Sequence, residues 1–552
     1  MKTDIHKILE RYDKSQQYMR GKAIAVRTEK HWLLYVGRQW EATEEHEGMT
    51  DLPTMNFTTP TIDYKVASIA STKATAMFSD MNAQLTDAVD RCNQLFDISW
   101  EKAKMQRTGK KALKHAAIQG DSYLYWGEGG DTRKSPQIVH NTNMHLGDEN
   151  ITDIQRQPWL IIEERLAPEI VRARAKAAGL SKEEIDRITP DAETQGNLFN
   201  HAEVKDKVTS LLYMEKDPET GIVSVGKCTQ SVMYEKLHPV QQSKGGELYG
   251  NGLTMYPIVP MIWKEVPDSA RGISEVEQLV PNQLEANKMV ARRAISAKQT
   301  AFPKLAYDDA SIMNPEDIDK VGVAIALNGG NAQAINNMIA YLSPQQMSPD
   351  AKQLTDELVD RTRSLAGASD AQLGNIDLSR VSGTAAQTVR DQQQLPLNDQ
   401  QEMYQDFIEN VALLWFELWK VYFPLGIQMD GIEVTADELN AITPNVRVDI
   451  SEDTSLSKMI LAQELTNLLN NHMITFAEFA QMYPDHGSLP KGVLDNIVAQ
   501  RQQLMMAGVM PTDEMGNPID GLQVGGGVNT GGMSGGSYQS NQASLAMKPL
   551  MG

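Results

Sequence analysis

Along the first 39 positions apolar residues recur at helical spacing, with Ile5, Ile8, Leu9 and Tyr12 on one stripe. That spacing predicts a helical N-terminal segment ending in the aromatic run from His31 to Trp40. Segments 61–77 and 99–119 have the same helix-compatible composition. The pattern then shortens, and 122–126 and 137–140 read as strands on either side of the turn-forming stretch Gly127-Glu128-Gly129-Gly130-Asp131. Helical spacing returns at 168–178 and 181–188, the second opened by Ser181 with Glu184 three residues on, the signature of a capping box. Alternation marks 208–216 and 221–229 around Asp217-Pro218-Glu219-Thr220-Gly221, and 231–237 continues it, so an antiparallel meander is expected.

From 273 to 300 only Pro281 interrupts a helical pattern, and Leu284, Asn287, Val290, Ala291, Ala294 and Ala297 fall on one side, several small enough for close packing. Some 20 residues of such a helix span roughly 30 Å. A mixed stretch from 302 to 343, with turn signals at Asn314-Pro315 and Asn328-Gly329-Gly330, separates it from a second helix expected over 349–366. Residues 368–383, rich in Gly, Ser, Asp and Asn, read as a loop; 384–422 read as largely helical, kinked at Pro396 and ending in the apolar run 407–423. Amphipathic helices are expected over 455–470 and 490–507, and a mobile Gly-, Ser- and Asn-rich tail over 524–540. The fold class is therefore α+β and predominantly helical, without a 20- to 50-residue internal repeat.

At 552 residues the chain exceeds what one core holds and implies about three or four regions. With 41% hydrophobic and 22% charged residues it has the composition of a folded protein. The best apolar run, 411–423, is short and broken by Glu417 and Lys420, so no membrane span is expected. Residues 1–14 lack an apolar leader core, so secretion is not expected. Only Cys92 and Cys228 are present, which supports neither a disulfide framework nor a CxxC metal pair and suits a reducing cytoplasm. A formal net charge of -20 speaks against a broad electrostatic grip on nucleic acid, because such affinity comes from Lys and Arg neutralising phosphates.

Gly221-Ile222-Val223-Ser224-Val225-Gly226-Lys227-Cys228 satisfies the GxxxxGK of a phosphate-binding loop, but Cys stands where Ser or Thr should ligate magnesium. The segment also lies within alternating residues rather than between a strand and a helix, so a hairpin strand is the better reading. His140, His145 and Asp148 match no standard metal spacing. The acid clusters Glu44, Glu45, Glu47 and Glu183, Glu184, Asp186 read as solvated faces rather than magnesium sites. No catalytic residue, metal or cofactor is expected. Lys288, Arg292, Arg293 and Lys298 form a compact basic set, with Lys288 and Arg292 one helical turn apart on the same face. In a monomer they are a wet surface; repeated around a ring they become a positive band.

Taken in order, four segments resemble the portal proteins of tailed bacteriophages. They are Tyr35-Val36-Gly37-Arg38-Gln39-Trp40 followed by Pro53 and Asn56; 139–148 leading to Trp159-Leu160-Ile161-Ile162 and Pro168-Glu169-Ile170; Val266-Pro267-Asp268-Ser269 through Gly272-Ile273-Ser274-Glu275-Val276 to Pro281–Lys288; and 378–387 with Ser382-Gly383-Thr384-Ala385. The resemblance implies a portal fold: a wing over 1–274, a first stem helix over 275–300, a clip over 301–348, a second stem helix over 349–367, a channel loop over 368–383, a distal wing helix and helical crown over 384–510, and a flexible tail over 511–552. It further implies a homo-oligomer, typically a dodecamer, at one vertex of the virion, assembled in the host bacterial cytoplasm. Double-stranded DNA would pass through without sequence specificity, the large terminase subunit would dock as motor, and major capsid or scaffolding protein and a head–tail adaptor or tail proteins would be neighbours. In that frame Asp370, Gln372, Asn375, Asp377, Ser379, Arg380 and Ser382 border DNA on the loop, Asp350, Asp356 and Asp360 give the lumen negative character, and Lys288, Arg292, Arg293 and Lys298 form a stem lumen or collar. Two other readings stand beside it: a magnesium-dependent packaging nuclease or ATPase, and a different head–tail connector ring, although such adaptors are usually much shorter.

Overall fold

The computed structural model describes residues 5–41, 53–70, 72–80, 85–127, 135–191, 206–244, 247–301, 304–307, 313–314, 339–342, 349–365 and 395–452, with scattered positions between 462 and 499. Two compact units divide the chain at 452/453. In the first, the expected N-terminal helix is two helices, α1 (Ile5–Gly21) and α2 (Ile24–Tyr35), because Ala23 turns left-handed at φ 51. Helix α3 (Thr58–Ala70) follows, and the helix expected to run to Met77 stops there: Thr72–Ser79 is strand β1. A helix that the sequence pattern did not mark, α4 (Thr86–Lys102), precedes α5 (Met105–Gln119), the two separated by Lys104 at φ 52. The first break follows Gly21 at the end of α1 and the second carries neither Gly nor Pro; the left-handed Ala23 and Lys104 each cost roughly 1 kcal/mol of strain that the tertiary packing overrides.

Strands β2 (Asp121–Tyr125) and β3 (Gln137–His140) pair as the sequence suggested. Then come β4 (Met144–Leu146), β5 (Trp159–Leu166), α6 (Pro168–Ala177), the short α7 (Lys182–Asp186), β6 (Val208–Lys216), β7 (Val223–Cys228) and β8 (Met233–Pro239). The Ser181–Glu184 capping box is formed, so Glu184 closes a helix end. Strands β4 to β8 make a five-stranded antiparallel sheet in sequence order. Alternation splits its two faces. Leu160, Ile162, Leu212 and Met214 join the main core, while Trp159, Ile161, Leu211 and Tyr213 are covered by the Ile5, Ile8, Leu9 and Tyr12 stripe of α1.

After the small hairpin β9 (Gln242–Lys244) and β10 (Glu247–Tyr249), β11 (Ile258–Ile262) adds to β2 in a three-stranded sheet. The long α8 (Glu275–Ala301) leads to β12 (Lys304–Tyr307), and β13 (Ile339–Leu342) leads to α9 (Pro349–Leu365). The next described helix, α10 (Asn398–Tyr422), starts after a 3-10 turn that contains Pro396, so this proline precedes the helix instead of kinking it. Phe407, Val411, Leu414, Trp415, Phe416, Leu418 and Trp419 bury α10 against Phe78, Phe96, Trp100 and Trp126. The unit closes with the hairpin β14 (Ile427–Met429) and β15 (Ile432–Val434), α11 (Ala436–Ala441) and β16 (Asn445–Glu452), which pairs with β1 over eight residues. Helix thus predominates in a mixed α and β architecture. Among the described residues no helix is long and apolar enough to cross a membrane. In the second unit Leu465, Phe479, Ala480 and Tyr483 make a small core of their own.

Glu163 on β5 ties α1 to the sheet. It accepts a hydrogen bond from the Tyr12 hydroxyl at 2.9 Å and lies 3.4 Å from His145 and 3.1 Å from Arg165. Burial alone would raise its carboxyl, but the His145 hydrogen bond, the charges of His145 and Arg165 and the Tyr12 hydroxyl outweigh that and bring it down from 4.5 to about 2. A carboxylate with a depressed folded-state pKa stabilises the fold above its unfolded value and loses that contribution as pH falls through the folded one. Acid titration of unfolding free energy should therefore show wild type losing up to about 3 kcal/mol between pH 4.5 and 2 that Glu163→Gln does not lose.

Candidate functional site

Helices α8 and α9 run antiparallel, since Asn282 donates to Thr362 at 3.0 Å while Arg293, a few turns further along α8, lies 3.9 Å from Asp356. Beyond the helix ends, β12 and β13 pair with Lys304 opposite Leu342. The result is one arm, leaving and rejoining the body beside α3. At 1.5 Å per residue its 27-residue first helix is about 40 Å long.

The root of the arm is polar and buried. The Ser274 hydroxyl accepts from the backbone N–H of Val276 at 2.9 Å and of Glu277 at 3.3 Å, which caps α8. Glu275 pairs with buried Lys65 of α3 at 2.7 Å and accepts from the Trp263 indole at 3.1 Å. One helical turn apart, Gln283 and Asn287 are both wholly buried. Gln283 accepts from the Phe57 amide and the Thr58 hydroxyl and donates to the Met55 carbonyl, while Asn287 accepts from the Met55 amide and donates to Gln39. Between these amides and the body, Phe57, Leu279, Ala286 and Val359 form a small apolar core that also seats α9.

Just upstream, Arg271 donates to both carboxylate oxygens of Glu149 at 2.8 and 3.0 Å and to the carbonyls of Asn141 and Met144. Burial favours its neutral form, yet the surrounding Tyr123, Glu149 and Asp121 hold it charged. Asp121, 3.7 Å away, is pushed up to about 6 by burial even though Arg271 pulls the other way. Gly272 crosses Gly120 so closely that a Cβ on either would run into the carbonyl oxygen of the other.

Past Asn287 the character of α8 changes. From Lys288 to Ala301 Ala291 is the only buried residue among the described side chains; Ile295 is 38% exposed, as is Leu354 at 56% on α9. Of the stripe expected to pack closely, Asn287 and Ala291 are buried, Leu284, Val290 and Ala294 half-buried, and Ala297 exposed. Lys288 is half-buried and Arg292 and Lys298 are exposed; Arg292 lies 3.9 Å from Glu285. Asp350, Asp356 and Asp360 are all exposed on α9. The structure thus brings the basic and acidic sets onto one pair of helices, joined by the Arg293–Asp356 contact. Asp370, Gln372, Asn375, Asp377, Ser379, Arg380 and Ser382 lie outside the described residues, as do Glu44, Glu45 and Glu47. The anchoring amides Gln283 and Asn287 were not singled out as a pair by sequence; the one available signal was two polar residues at positions i and i+4 of an otherwise amphipathic helix.

The set-aside motifs have other partners. Gly221–Cys228 enters strand β7, where Lys227 pairs with Glu235 at 3.0 Å and the Cys228 thiol is buried and pushed up to about 12. His140 meets Gln119 at 3.2 Å, His145 meets Ser15 at 3.1 Å and Glu163, and Asp148 accepts from Asn150. Comparison with protein-family models and with curated proteins finds no match to this chain.

Replacing Asn287 by Ala should leave the half-buried Met55 amide without its acceptor and the buried Gln39 Oε1 without its donor, although Gln39 keeps its bond to the Leu34 carbonyl, and lower the unfolding free energy read by urea titration by about 1–3 kcal/mol. Arg292→Ala, on the exposed half of the same helix, should stay within about 0.5 kcal/mol of wild type in the same urea titration.

Proposed function

We propose that this protein is a ring-forming conduit subunit for double-stranded DNA, a portal protein of a tailed bacteriophage. The observation that carries the reading is the α8–α9 arm: two antiparallel helices bracketing a β-paired insert, rooted by buried polar contacts, with most described side chains of its outer half exposed or half-buried. In the reading, copies of the arm line a central hole as stem, the stretch 301–348 is the clip that receives the large terminase subunit and later an adaptor or tail proteins, and the remaining α and β body is the wing facing capsid or scaffolding protein. The channel loop, 368–383, lies outside the described residues.

The chemistry asked of such a conduit is modest. A separate ATP-driven motor supplies the work, and each Lys or Arg that grips phosphate adds a salt-dependent barrier to sliding. Exposed Asp350, Asp356 and Asp360 beside Lys288, Arg292, Arg293 and Lys298 suit weak, sequence-independent contact, with Arg293 already partly neutralised by Asp356. Strand β7 in place of a phosphate loop speaks against the nucleotide-hydrolysing alternative.

Negative-stain images of the purified full chain should show holed rings; a closed monomer under conditions of virion assembly would overturn the proposal. DNA association by those rings should be weak and insensitive to sequence. Changing Lys288, Arg292, Arg293 and Lys298 together to Gln should preserve the rings and flatten the salt dependence by about 0.9 log unit for each phosphate that is no longer neutralised. An unchanged slope would remove these residues from the DNA path.

A further inference from the structure

A head-to-tail ring needs two different surfaces on each subunit that fit one another, because the contact is heterologous. Among the described residues, two exposed surfaces of the first unit carry opposite charge. The first is a cleft of about 240 Å³ between β11, α10 and the loop before β5. Its apolar floor includes Ile258, Met403 and Phe407, and Asp153, Glu265 and Asp406 stand exposed around it. Among the described residues no cation forms an ion pair with Glu265 or Asp406.

The second is the outer face of α6. Val171 and Ala175 bury its inner side against β6 and β8, while Ile170, Ala173, Arg174 and Ala177 form an exposed stripe at i, i+3, i+4 and i+7. A solvent-facing stripe is ordinarily charged. Here one large apolar residue, Ile170 at 46% exposure, and two alanines share the face with Arg174, and Lys176 is exposed beside them. Small residues allow close approach of a helix, the isoleucine supplies a knob, and the two cations answer an acidic rim.

We infer that α6 of one copy docks in the Ile258–Met403–Phe407 cleft of the next, with Arg174 and Lys176 facing Asp406, Glu265 and Asp153. The inference rests on the ring reading but names a contact in the body of the subunit, away from the α8–α9 arm. Arg174 is 45% exposed, with a 3.9 Å approach to Glu164 and a hydrogen bond to the Tyr234 hydroxyl as its contacts within the subunit, so it turns to the new contact by exchanging these weak partners.

Assembly of the full chain, followed by mass photometry across a concentration series, tests this. Arg174→Glu with Lys176→Glu, or Asp406→Lys with Glu265→Lys, should each raise the concentration for half-assembly by about tenfold or more, because like charges then face each other across the contact. Mixing the two reversed proteins, or combining all four changes in one chain, should restore assembly. All six positions changed or probed are exposed, so folding is checked simply by unchanged circular dichroism and melting. Independently, a short bismaleimide should join Ala173→Cys in one copy to Asn410→Cys in another, the native thiols Cys92 and Cys228 being buried. Rings that form normally with either reversal, or reversal without rescue and without cross-link, would overturn this contact and leave the ring standing. A wild-type chain that never self-associates would overturn both.

Discussion

Two buried side-chain amides, Gln283 and Asn287, fix where the long helix α8 leaves the body. A buried amide is tolerated only when its donors and acceptors are matched, and the mismatch costs more than the match gains. The two amides take their partners from Gln39, the backbone of Met55 and Phe57 and the Thr58 hydroxyl. That satisfaction sets the helix against the segment before α3 to hydrogen-bond tolerance, where an apolar interface would allow it to slide. Lys65, Trp263 and Glu275 do the same one level down, and Arg271 does it again with Glu149. The polar contacts at the root are therefore specific where the apolar cluster of Phe57, Leu279, Ala286 and Val359 is merely adhesive.

Local pattern carried much of the architecture. The Ile5, Ile8, Leu9 and Tyr12 stripe, the meander from β6 to β8, the Ser181 cap and both helices of the arm follow from periodicity and capping chemistry that act within a few residues. What escaped depends on partners far away in sequence. Residues 72–77 continue a helix-compatible composition, and only the pairing of β1 with β16, from the other end of the unit, makes them a strand. The break at Lys104 carries no Gly or Pro, so nothing local announces it, whereas the break at Ala23 had one local sign, Gly21, within a pattern that otherwise reads on as helix. For the site, the exposed charges of α8 and α9 were legible as charges; that Arg293 and Asp356 meet across the pair was not, since register between two helices separated by an insert is a tertiary fact.

The distribution of exposure gives the fold its division of labour. Trp415, Phe416 and Trp419 make the second half of α10 the centre of the body, packed on nearly every side. By contrast α8 is packed for its first half and largely bare for its second, although both are helices of similar length. Helix stability in proteins comes mainly from tertiary packing of an apolar face. A half-bare helix therefore relies on α9, on its capped start and on its small, helix-favouring alanines.

Pro281 lies inside α8, between the Ser274–Glu275 attachment and the Gln283–Asn287 attachment. Proline removes one i to i−4 bond and bends a helix, ordinarily making a point of give. Clamped on both sides by those buried contacts, the turn weakened by Pro281 is held to the body where a free helix would give.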